Sequence, residues 1–244
     1  MATKSMYQNG SLTFFDPAKK YLVSRRETRN QYRDNFALYS SIPTAGSRAN
    51  GTPWVKDITG AAPPTITLVA DAIGGVVENA LTSASQAQDA SCHWDDNRHI
   101  CLDNGPVVQF YAKLTVLPTL LGIAHLGLIS DNGTDFAGTT YNAGFTIAAG
   151  GVVSAAIDDN VTPTTATTGV TMTVDTYYAF RIEAFTKSAI RFFINGALVA
   201  GSTSFNYAAT AGANSTLQPI FGIGKASGAG VGTLQVANFD YWQD

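Results

Sequence analysis

The sequence predicts an all-β protein, a sandwich or jelly roll of antiparallel strands, and three observations carry that prediction. Only 14% of the 244 residues are charged while 45% are hydrophobic, against roughly 25% charged in an average soluble domain. Neutral threonine, serine, asparagine and glycine must therefore cover the surface, a composition suited to strands and turns. Glutamate occurs only as Glu27, Glu78 and Glu183, and lysine is scarce, so long solvated helices built on Glu/Lys pairs are excluded. Finally, short apolar runs separated by turn signals recur from Trp54 to the end of the chain.

The elements follow in order. Residues 1–50 stand apart in composition: Tyr7, Leu12, Phe14, Phe15, Tyr21, Leu22 and Val23 are apolar without a sustained period. A segment so aromatic and so irregular is expected to order against a partner surface rather than to fold alone. Within it, Ser24 to Asn35 reads as a short helix and residues 41–53 as a turn-rich linker. Candidate strands then run over 54–58, 65–69, 75–82, 107–116, 122–129, 144–148, 152–157, 170–174, 177–185, 190–194, 197–200, 217–223 and 233–242. Asn195-Gly196 between apolar runs predicts a hairpin with a type I′ turn, and Gly150-Gly151 a second hairpin. The expected organisation is an arm over 1–50 and a β-sandwich over 51–244.

Charge is divided along the same line. Residues 1–33 hold Lys4, Lys19, Lys20, Arg25, Arg26, Arg29 and Arg33 against Asp16 and Glu27, a net of +5, whereas the remainder carries −8. A basic leader on an acidic body predicts docking on something negative. The longest apolar region, 106–129, is interrupted by Gln109, Lys113, Pro118 and His125 and alternates in period two, so no membrane span is expected. The first residues lack the apolar stretch of an export signal, and synthesis in a cytoplasm is expected.

The later strands carry a resemblance. YYAFRIEAF (177–185) precedes RFFINGALVA (191–200), and the chain closes on LQVANFDYWQD (234–244). Together with the Gly-Gly strand at 74–81, these resemble the concanavalin A-like (laminin G-like) jelly roll over roughly residues 65–244. In their Thr/Ala/Gly-rich, lightly charged form they are similar to phage virion proteins, including capsid decoration and fibre proteins. The resemblance implies a fold that hosts lectins, glucanases and structural modules alike.

Each group of residues that could carry chemistry also has an ordinary structural role. Glycosidic hydrolysis needs two closely placed carboxylates. Glu78 and Glu183 each stand alone, and Asp95-Asp96 and Asp158-Asp159 would point to opposite faces of a strand. No strand presents two acids on one face, so no enzymatic activity is expected. Cys92, His93, His99 and Cys101 within ten residues suit either a reduced pair across a hairpin, a disulfide or a zinc site. Asp131 to Asp135 (DNGTD) reads as a turn with calcium as the alternative. Trp54, Trp94, Trp242, Tyr177 and Tyr178 read as core packing with a sugar-stacking platform as the alternative. Neither a G-x-x-x-x-G-K-[ST] loop nor a G-x-S-x-G serine occurs.

Taken together, the expectation is a structural virion protein. It would be a bacteriophage capsid decoration (cement) protein without cofactor or metal, binding the major capsid protein and sister subunits as a homotrimer on the capsid surface. Its docking residues would be Tyr7, Phe14, Phe15, Lys19, Lys20, Tyr21, Arg25, Arg26, Arg29 and Arg33. Neither nucleic acid nor a membrane is an expected partner. The alternative is a glycan-binding, lectin-like module of a phage fibre or receptor-binding protein.

Overall fold

Period-two alternation puts every second side chain of a strand on one face. In this chain, two such faces meet. The computed structural model describes residues 4–8, 11–16, 21–22, 30–46, 52–72, 74–131, 136, 139–161, 163–207 and 215–243, with backbone alone before Tyr32. Its strands are β1 (Lys4–Gln8), β2 (Ser11–Asp16), β3 (Tyr21–Leu22), β4 (Asn30–Asp34), β5 (Val55–Thr59), β6 (Thr65–Leu68), β7 (Val77–Ala80), β8 (Gln88–His93), β9 (Ile100–Cys101) and β10 (Val107–Val116). They continue with β11 (Gly122–Ile129), β12 (Asn142–Ile147), β13 (Val152–Asp158), β14 (Thr164–Thr171), β15 (Tyr178–Thr186), β16 (Ala189–Ile194), β17 (Ala197–Val199), β18 (Thr216–Lys225) and β19 (Thr233–Gln243).

One sheet has the order β17-β16-β15-β10-β19-β7-β6, with β4 also paired to β19; the other has the order β14-β13-β12-β11-β18-β8-β5, with β9 also paired to β18. All the strand pairs in both sheets are antiparallel. The expected all-β, two-sheet jelly-roll sandwich is the observed fold. Val108, Phe110, Ala112 and Leu114 of β10 point inward and are buried. From the facing sheet, Phe145 meets Phe180 and Phe192 at ring distances of 5.1 and 5.2 Å. Trp54, Phe221 and Phe239 close the other part of the core, with ring centroids 5.0 and 5.1 Å from Trp54.

The leading segment divides in two. β1, β2 and β3 form a three-stranded sheet of their own. From Asn30 onward the chain joins the sandwich: β4 pairs with β19, and Phe36 and Ile42 are buried in the core. The helix expected over 24–35 is therefore corrected at its described end, where Asn30–Asp34 is strand; residues 23–29 lie outside the described residues. Asp34 supplies the physical reason. It accepts the Tyr32 hydroxyl at 2.5 Å, the Tyr39 hydroxyl, and the Phe36 N–H at 2.7 Å, pinning this stretch to the sheet.

Two further corrections concern strands. β14 occupies 164–171 rather than 170–174, and β8 occupies a stretch that the sequence reading left without a strand. All six residues of β8 are buried, yet only Ala90 and Cys92 are apolar, so it offers no apolar run to mark a strand. The Asn195-Gly196 turn forms with φ of 51° and 80°, the positive pair that a type I′ hairpin requires.

Candidate functional site

The outward face of the β14-to-β5 sheet gathers the polar side chains that its strands do not bury in the core. Strand register sets one row across it: Asp57 opposite Ser91, Ser91 opposite Gly222, Gly222 opposite His125, then Thr146, Ser154 and Thr167. Glycines make room for neighbouring side chains along it. A Cβ on Gly222 would lie 2.5 Å from the Ala90 carbonyl and 2.8 Å from the Ser91 hydroxyl. On Gly127 or Gly144 it would lie within 3.0 Å of the Phe136 ring, which rests on both.

A hydrogen-bonded chain runs along this row. The Ser91 hydroxyl donates to Asp89 Oδ2 at 2.6 Å and lies 3.4 Å from His125 Nε2. With the hydroxyl proton committed to the carboxylate, Nε2 is the donor and His125 is held in that tautomer. Burial drives the pKa of His125 down to about 3, so the imidazole is neutral at physiological pH. Its ring stacks on Phe136, with centroids 5.5 Å apart and planes 11° from parallel.

Beside the row opens a cavity of about 440 Å³, lined among others by Thr59, Leu121, Ile123, His125, Phe136 and Thr146. Lys225 lies at its end. Its Nζ donates to the carbonyls of Thr82, Ala84 and Gly230 at 2.7, 2.7 and 2.8 Å, so all three N–H groups are engaged. Burial lowers the pKa of this lysine from its usual value.

The structure distributes the sequence-predicted residues as follows. Tyr7 lies on β1, Phe14 and Phe15 on β2 and Tyr21 on β3, while Lys19, Lys20, Arg25, Arg26 and Arg29 lie outside the described residues. Arg33 pairs with Asp240 at 3.1 Å and stays 70% exposed. Cys92 and Cys101 are free thiols. They stand opposite Phe221 and Thr216 on β18, five residues and so about 17 Å apart along that strand. A disulfide is excluded by that separation, and burial pushes the Cys92 thiol well up. Among the described residues, no three His, Cys, Asp or Glu side chains converge on a metal position. The 132–135 part of the calcium alternative lies outside the described residues.

Of the aromatic set, Trp54 and Trp94 are buried. Tyr177 stacks on Tyr111 at 4.7 Å, 7° from parallel, on the outward face of the other sheet, with Lys113 5.2 Å from its ring. Glu78 and Glu183 sit on that same sheet, on β7 and β15, separated by β19 and β10. The candidate-site residues absent as such from the sequence reading are Asp57, Asp89, Ser91, His125 and Thr146. The D-x-S-x-H spacing of Asp89, Ser91 and His93 was the one available signal, since period two puts all three on one face.

No family model matches the chain, and no curated protein matches it in sequence. Solved structures do match. An endo-β-1,4-glucuronan lyase from the fungus Trichoderma reesei superposes with a TM-score of 0.58 at 10% identity, covering 87% of this chain and 95% of its own. A β-1,3-glucanase from Mycobacterium marinum gives 0.54 at 12% identity, covering 86% and 97%. A glycosyl hydrolase family protein from Mycobacterium fortuitum gives 0.53 at 14% identity, covering 86% and 98%. At such identity the likeness establishes the fold.

It also corrects the expectation that the chain is no enzyme. The fold is one that proteins named as glucanase, lyase and glycosyl hydrolase share. No single strand carries two acids on one face, but β5 lies beside β8, and this brings Asp57 and Asp89 to the same face as diagonal neighbours, with Cβ atoms about 7 Å apart. Sequence separation of 32 residues hid the pair.

Proposed function

We propose that this chain acts on a neutral glycan, held along the row from Asp57 through Ser91, His125 and Thr146 to Thr167. The observation that carries the reading is the row itself: hydroxyls, an imidazole and a carboxylate aligned across seven strands, with glycines set among them. Sugars are recognised by such fixed donors and acceptors beside apolar surface that meets the ring faces. Neutrality follows from charge: Asp57 and the buried Asp89 share this face of the sheet, and the Lys225 ammonium is already engaged by three carbonyls.

The names of the structural neighbours support a carbohydrate rather than another polymer. With Cβ atoms about 7 Å apart, the two aspartates are close enough for their carboxyl groups to reach the spacing of an inverting acid and base pair, roughly 6.5–9.5 Å. The test is titration of the protein with neutral gluco-oligosaccharides and with a uronate oligomer, followed by assay for new reducing ends. The reading expects binding of a neutral oligomer, at least tenfold weaker binding by His125→Ala and Thr146→Trp variants, and loss of cleavage in Asp57→Asn and Asp89→Asn variants. Selective binding of the uronate, or neutral binding untouched by both cleft variants, would overturn it.

A second reading is capsid decoration, with residues 1–33 anchoring the sandwich to a virion shell and to sister subunits. The net charge of +5 over that segment and its separate β1–β3 sheet favour it. Co-sedimentation of the full chain with phage particles should then be saturable and salt-sensitive. Replacing Arg25, Arg26 and Arg29 together with serine should abolish it. Absence of co-sedimentation by the full chain would sink this reading.

A further inference from the structure

The cavity beside the polar row has a chemistry of its own. Leu121, Ile123 and Phe136 supply apolar walls, Gly224 lies against the Asp89 carboxylate, and the lining polar groups are confined to a few points such as Thr59, Thr146 and His125. Its volume of about 440 Å³ falls within the roughly 300–1,000 Å³ of small-molecule sites.

Lys225 is the one charged side chain that lines it, and the neighbouring Asp89 carboxylate is buried. The one ammonium at its end, on Lys225, is turned to the Thr82, Ala84 and Gly230 carbonyls, and burial keeps His125 neutral. Leu121 and Ile123 remain 54% and 38% exposed at the mouth, apolar surface that a ligand would remove from water. Along one wall, His125 and Phe136 already stand nearly parallel, so a flat ring can continue the stack.

We propose that this cavity binds a small ligand through an uncharged aromatic ring. The site shares a face with the glycan reading but does not depend on sugar chemistry, so the two stand or fall separately.

The experiment is fluorescence titration of the full chain with N-phenyl-1-naphthylamine, a neutral aromatic probe, in parallel with a neutral gluco-oligosaccharide. The expected result is saturable one-to-one enhancement, weakened at least tenfold by Ile123→Glu, which sets a charge at the mouth, and by Thr146→Phe, which fills the cavity. Circular dichroism and thermal melting establish that both variants fold, and Leu121→Glu repeats the test at a more exposed position. Probe binding without oligosaccharide binding would sustain the cavity and overturn the glycan reading. Oligosaccharide binding without saturable probe enhancement, or enhancement unchanged in every folded variant, would overturn the cavity.

Discussion

His125 shows how a single residue can report on the site. Its folded pKa is about 3 because burial disfavours the charged ring, whereas an unfolded histidine titrates near 6.5. Above pH 7, both states are neutral and nothing is lost. As the pH falls from 6.5 towards 3, the unfolded chain takes up a proton that the folded chain refuses, so stability falls with pH across that window. Between pH 7.5 and pH 5 the loss from this group is about 2 kcal/mol. Urea unfolding at the two pH values should show a drop that is smaller by about that amount in His125→Gln, while the share from His93, whose pKa burial also lowers, remains. An identical drop in both proteins would mean that His125 is already protonated or exposed.

At the scale of elements, the glycines of β11, β12 and β18 decide what the open face can hold. Gly144 lies opposite Gly127, and a Cβ on Gly144 would sit 2.6 Å from the Leu126 carbonyl and 2.8 Å from the Phe136 ring. Backbone cannot yield at such distances without local distortion. Gly144→Ala should therefore cost about 1–3 kcal/mol and loosen Phe136, read as a lower melting temperature with altered near-ultraviolet circular dichroism. The control is Gly150→Ala, where no atom lies within 4 Å and only the positive φ is penalised. Elements were legible where apolar β-formers are dense: β10 and β11 match their sequence-predicted bounds, and β13, β15, β16 and β19 fall within a residue of theirs. β8 was not, because only Ala90 and Cys92 of its six residues are apolar. The site was illegible for a related reason: register between β5 and β8, which joins Asp57 to Ser91, follows from the topology rather than from any local pattern.

Across the whole molecule, two faces of one sandwich do different work. The inner faces close on Phe145, fully buried against Phe180 and Phe192, and Phe145→Ala should cost about 3–5 kcal/mol in denaturant unfolding. The edges are restrained. β17 and β6 are three and four residues long, β5 is flanked by the 43–45 stretch through Lys56, and β14 carries an irregularity near Gly169, where φ is +76°. Such edges resist open-ended pairing, which leaves the outward faces to meet partners. One of them presents the Ser91–His125–Thr146 row, the other the Tyr111–Tyr177 stack. The measurement that separates them is chemical-shift mapping of isotopically labelled protein titrated with a neutral gluco-oligosaccharide. This account predicts saturable shifts at Ser91, His125, Gly222 and Thr146, with Tyr111 and Tyr177 unmoved; shifts centred on the two tyrosines, or none at all, would contradict it.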